Sequence, residues 1–306
     1  MRLAVVGTGG VGAYIGGRLA RAGADVHFLA RGEHLAALRE RGLRVRSILG
    51  DFALPVDATD DSTEIGPCDL VLFCVKSFDT ETAAAALPSL LGRDTGVLSL
   101  QNGVDNEEKL AAAIGENRVM AGAAYLLASI AEPGVVEHVG GPGSIAFGEL
   151  DGTRSERAEL LLEWCGRAEI PARLDSNVQA RLWDKLAFIC AQAGMTAATR
   201  LPIGEIRKHP ESWAMFRRIS EEVVALAAAE GVRLAPDTVD RHVAFAQGLE
   251  PEGTSSLHHD LVHGKRLELE ALHGFVVRRA RKHGLAVPAC DAIYAVLVPW
   301  AEGARG

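Results

Sequence analysis

The sequence is short of cysteine, with five in 306 residues, at positions 68, 74, 165, 190 and 290. The count is odd and no two stand in a C-x-x-C spacing, which excludes a disulfide-stapled module and a zinc knuckle alike. Nor does any apolar run approach the roughly 18 to 20 residues that a membrane-spanning helix needs, so an integral membrane protein is not expected. Positive charge is in deficit: 32 Lys and Arg face 40 Asp and Glu, for a formal net charge of -8. No basic field is present to hold nucleic acid, although a local positive pocket could still take a small anion. The chain starts Met1-Arg2-Leu3 and meets glycine at Gly7, before a signal-peptide core could develop. The expected location is therefore the reducing cytoplasm.

What remains is an ordinary soluble balance, 48% hydrophobic and 24% charged, in a chain long enough for about two folded units. Apolar runs at Leu3 to Val6, Val26 to Ala30, Leu70 to Val75 and Gly96 to Leu100 alternate with helical stretches such as Thr82 to Leu91 and Asn106 to Ile114. Continuous apolar strands alternating with helices predict an α/β unit whose parallel sheet is covered on both faces. Shorter strands are expected at Val135 to Val139, Ser144 to Gly148 and Ile170 to Leu174, with a helix over Glu156 to Ala168. From Asn177 the periodicity turns helical, over Asn177 to Gly194, Glu211 to Glu230, Pro236 to Gln247, Lys265 to His283 and Pro288 to Trp300. The expected domains are thus residues 1–175, a dinucleotide-binding α/β unit, and residues 176–306, an all-helical unit.

Gly7-Thr8-Gly9-Gly10-Val11-Gly12 is a G-x-G-x-x-G directly after the first strand and opening a helix, inside a β-α-β unit. Glycines there permit the tight turn, the pyrophosphate approach and the close helix–sheet packing, and the helix N-terminus offers amides to the phosphates. The second strand ends at Ala30, and the next residue is Arg31, where an NAD site would carry Asp or Glu. A guanidinium can fork onto a 2′-phosphate, so NADPH is the expected cofactor, unless Arg31 is a solvated loop arginine. Lys76 and Gln101-Asn102-Gly103 follow the next two strands, at carboxyl ends where ligands of open α/β sheets collect. The plainer alternatives are a solvated lysine and an Asn-Gly turn.

In the helical half, Lys185 has Leu182, Phe188 and Ile189 as its helical neighbours. Desolvation there would lower its pKa and suit it to give a proton to a carbonyl oxygen, and the alternative is a lysine that snorkels from the core edge. Read alone, Glu268 is a helix carboxylate and Ser255 or Ser256 a helix N-cap. His258, His259 and His263 do not make a tetrahedral metal pattern, and no metal is expected.

Taken in order, Gly7 to Gly12, Arg31, Val75-Lys76, Gln101-Asn102-Gly103, Trp183-Asp184-Lys185-Leu186, Thr254-Ser255-Ser256, Glu268 and Arg278 to Gly284 resemble the ketopantoate reductase (2-dehydropantoate 2-reductase) family, from Met1 to about Leu297. The resemblance implies a Rossmann-type domain followed by a helical substrate domain, which by base rate alone is also the expected dimerisation domain, and NADPH-dependent reduction of a 2-oxo acid, ketopantoate first, in pantothenate biosynthesis. It further implies Lys185 as proton donor and Asn102 as the residue placing substrate and nicotinamide. Ser256 then lies near the substrate carboxylate, Glu268 binds the substrate's hydroxyl end and supports the lysine, and Lys76 and Arg31 stand on the cofactor side. Where the family pattern has asparagines four and eight residues after the lysine, this chain has Ile189 and Ala193, and Asp79 stands where the family has glutamine. These departures make a less polar 2-oxo acid or ketone the main alternative substrate, and a non-catalytic NADPH-binding protein the alternative from another class. A homodimer is the base-rate expectation for assembly.

Overall fold

The computed structural model describes residues 1–304, and the chain divides into two compact units. One comprises Met1–Gln101 and Asp105–Val178, and the other comprises Asn102–Val104 and the chain from Gln179 onward. Among the described residues no helix is long and apolar enough to cross a membrane.

The first unit is built on ten strands: β1 (Arg2–Val6), β2 (Asp25–Leu29), β3 (Leu43–Ser47), β4 (Phe52–Leu54), β5 (Asp57–Thr59), β6 (Cys68–Phe73), β7 (Leu91–Ser99), β8 (Val119–Glu132), β9 (Val135–Glu149) and β10 (Ala172–Leu174). They run in the order β4-β3-β9-β8-β7-β6-β1-β2-β5, with β10 beside β9. Its helices are α1 (Gly10–Arg21), α2 (Gly32–Arg41), α3 (Ser62–Ile65), α4 (Thr80–Ala84), α5 (Leu87–Leu90), α6 (Asn106–Ile114) and α7 (Glu156–Arg167). Along β1 the residues alternate between two cores: Leu3 and Val5 join Tyr14, Ile15 and Phe28, whereas Ala4 and Val6 join Val71, Phe73 and Leu110. Burial on both faces explains why the strand is apolar from Leu3 to Val6. Because β1 is flanked by β2 on one side and β6 on the other, its carboxyl end is the point where strand order reverses, which in open sheets is where a ligand is held.

The sheet departs from the all-parallel expectation. β8 pairs antiparallel with β9, and β3 with β4, while the remaining ladders are parallel. The segments expected at 135–139 and 144–148 form one strand, β9, whose ladder with β8 shifts register opposite Gly140 to Pro142, where glycine and proline interrupt pairing without ending it. The helix expected over Thr82 to Leu91 is instead α4 and α5, because Pro88 lacks an N–H and restarts the helix in its own first turn.

The second unit holds α8 (Val178–Thr199), α9 (Ile203–Arg207), α10 (Pro210–Ala229), α11 (Thr238–Gln247), α12 (Ser256–Val262), α13 (His273–Lys282) and α14 (Pro288–Leu297). Buried Glu222 on α10 accepts from the Ala289 and Cys290 amides at 2.9 and 2.8 Å, and so satisfies two open donors at the start of α14. One expected helix, Lys265 to His283, is broken. Glu268–Ala271 is a 3₁₀ turn, and Leu272, at φ -104 and ψ -103, precedes α13. Leu267, Glu268, Leu269, Ala271 and Leu272 are all buried, and a regular α-helix would carry such a run around all its sides into solvent.

Candidate active site

The glycine loop is shaped by what would collide with a side chain. Gly7 adopts φ +95, and a Cβ there would lie 2.6 Å from the Val75 amide nitrogen. At Gly12 a Cβ would meet the Gly7 carbonyl oxygen at 2.2 Å, and at Gly10 the Ala128 carbonyl oxygen at 2.0 Å. Gly9 alone has nothing within 4 Å, so it leaves a face over which a ligand can approach the backbone. Thr8 anchors the loop by donating its hydroxyl to the Leu29 carbonyl at 2.9 Å. Gly9 caps α1 without a side-chain bond, and the first turn of α1 holds no acidic residue. The helix thus presents amides and positive dipole to an anion, and these residues fit the pyrophosphate of a dinucleotide.

Around this loop, Arg31 is exposed at the start of α2, and its Nη2 lies 3.8 Å from Asp79 Oδ2. Lys76 is exposed just beyond β6. Buried Gln101 donates to the Val75 carbonyl at 3.0 Å and to Thr80 Oγ1 at 2.7 Å, so the segments leaving β6 and β7 are tied together. Gln101 belongs to the Gln101-Asn102-Gly103 run expected at a strand's carboxyl end, whereas Thr80 was not singled out, since it looks like an ordinary polar residue until the fold buries it.

In the second unit Lys185 is half-buried on α8 and donates from Nζ to Asn102 Oδ1 at 3.0 Å. Burial lowers its pKa from 10.5 to about 8, and the negative charge of Glu268 opposes that fall. Glu268 is itself buried on the 3₁₀ turn. The structure therefore brings Lys185, Asn102 and Glu268 together, although each partner lies 83 residues from the lysine in sequence.

Ile189 and Ala193 fall one and two turns after Lys185, with Ile189 half-buried and Ala193 buried. Between and beyond them, Gln192 Nε2 donates to the Thr254 carbonyl at 3.2 Å, and Thr196 Oγ1 bonds to Ser255 Oγ at 2.8 Å. Spacings of three and four residues place all of these along one side of α8. Ser255 is the N-cap of α12, accepting from the His258 amide at 3.1 Å, which leaves Ser256 as the first helical residue, half-buried. Gln192, Thr196 and Ser255 were not picked from sequence as site residues. The signal for Gln192 and Thr196 was their place seven and eleven residues after Lys185, on the same side of α8, and it needed the contact with the 254–256 segment to be read.

The neighbouring side of α8 carries Asp184. Burial would raise its pKa, but His242, whose Nε2 lies 3.4 Å from Asp184 Oδ1, and Arg241 outweigh this and hold it below the usual carboxylate value. With Ser220 Oγ 2.9 Å from His242 Nδ1, this chain of polar groups joins α8 to α10 and α11. Ser220 is fully buried, so the Ser-His-Asp order is not a nucleophile's arrangement. No group of three or more His, Cys, Asp or Glu able to hold a metal occurs among the described residues.

Two family models described as ketopantoate reductase PanE/ApbA and its C terminal match residues 3–152 and 177–299. The chain belongs to the ketopantoate reductase family. A 2-dehydropantoate 2-reductase of Halobacterium salinarum is 36% identical over 297 residues, covering 94% of this chain and 95% of its own. A PanE/ApbA family ketopantoate reductase from Ralstonia eutropha superposes with a TM-score of 0.90 at 36% identity, over 98% of each chain. A D-mandelate dehydrogenase solved with NADH and anilino(oxo)acetate gives the same TM-score at 22% identity over 98% of each chain, which shows a shared fold alone. As a member of this family the protein is an oxidoreductase that acts on a 2-oxo acid.

Proposed function

We propose that the protein is a cytoplasmic, NADPH-dependent 2-dehydropantoate 2-reductase, which reduces ketopantoate to pantoate for pantothenate biosynthesis. The observation that carries this reading is the Lys185 ammonium with its pKa lowered to about 8, 3.0 Å from Asn102 Oδ1 and under the charge of Glu268. A dinucleotide bound there would supply the hydride. Lys185 delivers the proton from Nζ to the oxygen that becomes negative, and a pKa near the working pH lets it do so and be recharged. Glu268 keeps the lysine protonated against the pull of burial. Asn102 orients the ammonium through its side-chain oxygen, and electrostatic help of this kind acts most strongly where water is scarce. The Gly7 to Gly12 loop and the start of α1 hold the pyrophosphate, with Arg31 and Lys76 on the adenosine side. Ser256 serves the substrate carboxylate. The proposed assembly is a homodimer.

A less polar 2-oxo acid is the second reading, and one observation favours it. Ile189 and Ala193 put apolar surface on the side of α8 that bears Lys185, and a site that lacks amide donors at these two positions discriminates against hydroxylated substrates.

The test is loss of reduced-nicotinamide absorbance with ketopantoate and with unbranched and branched apolar 2-oxo acids, for wild type and Lys185→Ala. Turnover of ketopantoate that falls at least about a hundredfold in the variant is the expected result. Near-wild-type turnover in Lys185→Ala refutes the mechanism. Faster turnover of an apolar acid refutes the substrate assignment and supports the second reading. NADPH binding without turnover of any acid points to a non-catalytic protein.

A further inference from the structure

The adenosine end of the dinucleotide site carries charges of both signs. In sheets of this kind a carboxylate at the end of the second strand accepts from the ribose hydroxyls of NAD, and an arginine there accommodates the 2′-phosphate of NADP. Here Arg31 lies just beyond β2, but the segment leaving β6 brings Asp79 Oδ2 within 3.8 Å of its Nη2. The two side chains are 76% and 40% exposed, and an ion pair that open to solvent adds little to folding. Asp79 is also the N-cap residue of α4, yet its side chain makes no capping bond. Neither fold stability nor helix capping accounts for a carboxylate at this place.

We propose that Asp79 sets the coenzyme preference, narrowing the advantage of NADPH so that the site accepts NADH as well. This rests on the dinucleotide reading given above and goes beyond it. A 2′-phosphate carries between one and two negative charges near neutral pH, so it must compete with Asp79 for Arg31 while being repelled by the carboxylate itself. An unphosphorylated ribose has no such conflict, and its hydroxyl can donate to Asp79. The same carboxylate therefore weakens one coenzyme and serves the other. Lys76, exposed three residues before Asp79, belongs to the same surface and keeps the local balance positive enough for NADPH to bind.

The test is isothermal titration of the whole protein with NADPH and with NADH, without substrate, for wild type, Asp79→Asn and Arg31→Ala. Wild type should bind the two with dissociation constants within about tenfold of each other. Asp79→Asn should tighten NADPH by about five- to tenfold while leaving NADH unchanged or about twofold weaker. Arg31→Ala should weaken NADPH at least about tenfold and NADH little. An unchanged ratio in Asp79→Asn overturns the proposal, as does a wild type that already prefers NADPH by about a thousandfold. Absence of heat with either nucleotide in wild type overturns the dinucleotide reading itself, a result distinct from an unchanged ratio.

Discussion

Replacing Glu268 by glutamine should move the alkaline limb of the pH–rate profile toward acid. Burial brings the Lys185 pKa down from 10.5 to about 8, and the Glu268 charge is what keeps it from falling further. In the direction of carbonyl reduction the lysine must start protonated, so kcat/KM in wild type should be flat below its pKa and fall tenfold per pH unit above about 8. Glutamine keeps the shape of the buried side chain and removes the charge. Losing an opposite charge near an ammonium lowers its pKa by about one unit or more. At a pH near 8 the protonated fraction then drops from about a half to about a tenth, a fivefold loss, whereas near pH 6 both proteins are almost fully protonated. Any direct contact of Glu268 with substrate would add a loss that does not vary with pH, and the position of the limb separates the two effects. The assay is initial-rate kinetics across about pH 5.5 to 9.5 with saturating coenzyme. A limb that stays where it is, or moves toward alkali, refutes the assignment of Lys185 as proton donor supported by Glu268.

Other expectations follow from the geometry. Gly9→Ala adds a Cβ where nothing lies within 4 Å, so thermal unfolding should be unchanged while calorimetric NADPH affinity drops at least about tenfold; Gly12→Ala, with the Gly7 oxygen 2.2 Å away, should lose affinity and also about 1–3 kcal/mol of stability in urea. Glu222→Ala removes both acceptors from the Ala289 and Cys290 amides and should cost about 2–3 kcal/mol by urea unfolding, with kcat intact in the folded fraction. The double change Ile189→Asn with Ala193→Asn should raise kcat/KM for ketopantoate relative to an apolar 2-oxo acid by about tenfold, read from a substrate panel, and an unchanged ratio would remove these positions from substrate selection.

Legibility differed from one part of the chain to another for physical reasons. Strands β1 and β6 were readable because burial on both faces makes Leu3 to Val6 and Leu70 to Phe73 unbroken apolar runs. The 14-residue strand β8 was not, because its Ala-rich sequence shows neither a clean two-residue alternation nor an unbroken bulky run. The short strands β3, β4 and β5 escaped for lack of length, and β3, with Leu43 and Val45 inward and Arg44 outward, shows its alternation only over a few residues. Glu268 was read within a helix because its surroundings have helix-forming residues, whereas burial of nearly every residue around it favours the 3₁₀ turn.

By itself the sequence determined those features that depend on local chemistry: the glycines that no side chain could replace at a crowded turn, the cation after the second strand, the apolar-flanked lysine and the family to which their order belongs. Only the tertiary structure decided what those groups meet. It placed the Asn102 oxygen and the Glu268 charge on Lys185, joined Thr196 to Ser255, and set Asp79 beside Arg31. A pKa, a shared proton or a competing charge is a property of separations of a few ångströms, and residues tens of positions apart acquire such separations only when the chain folds.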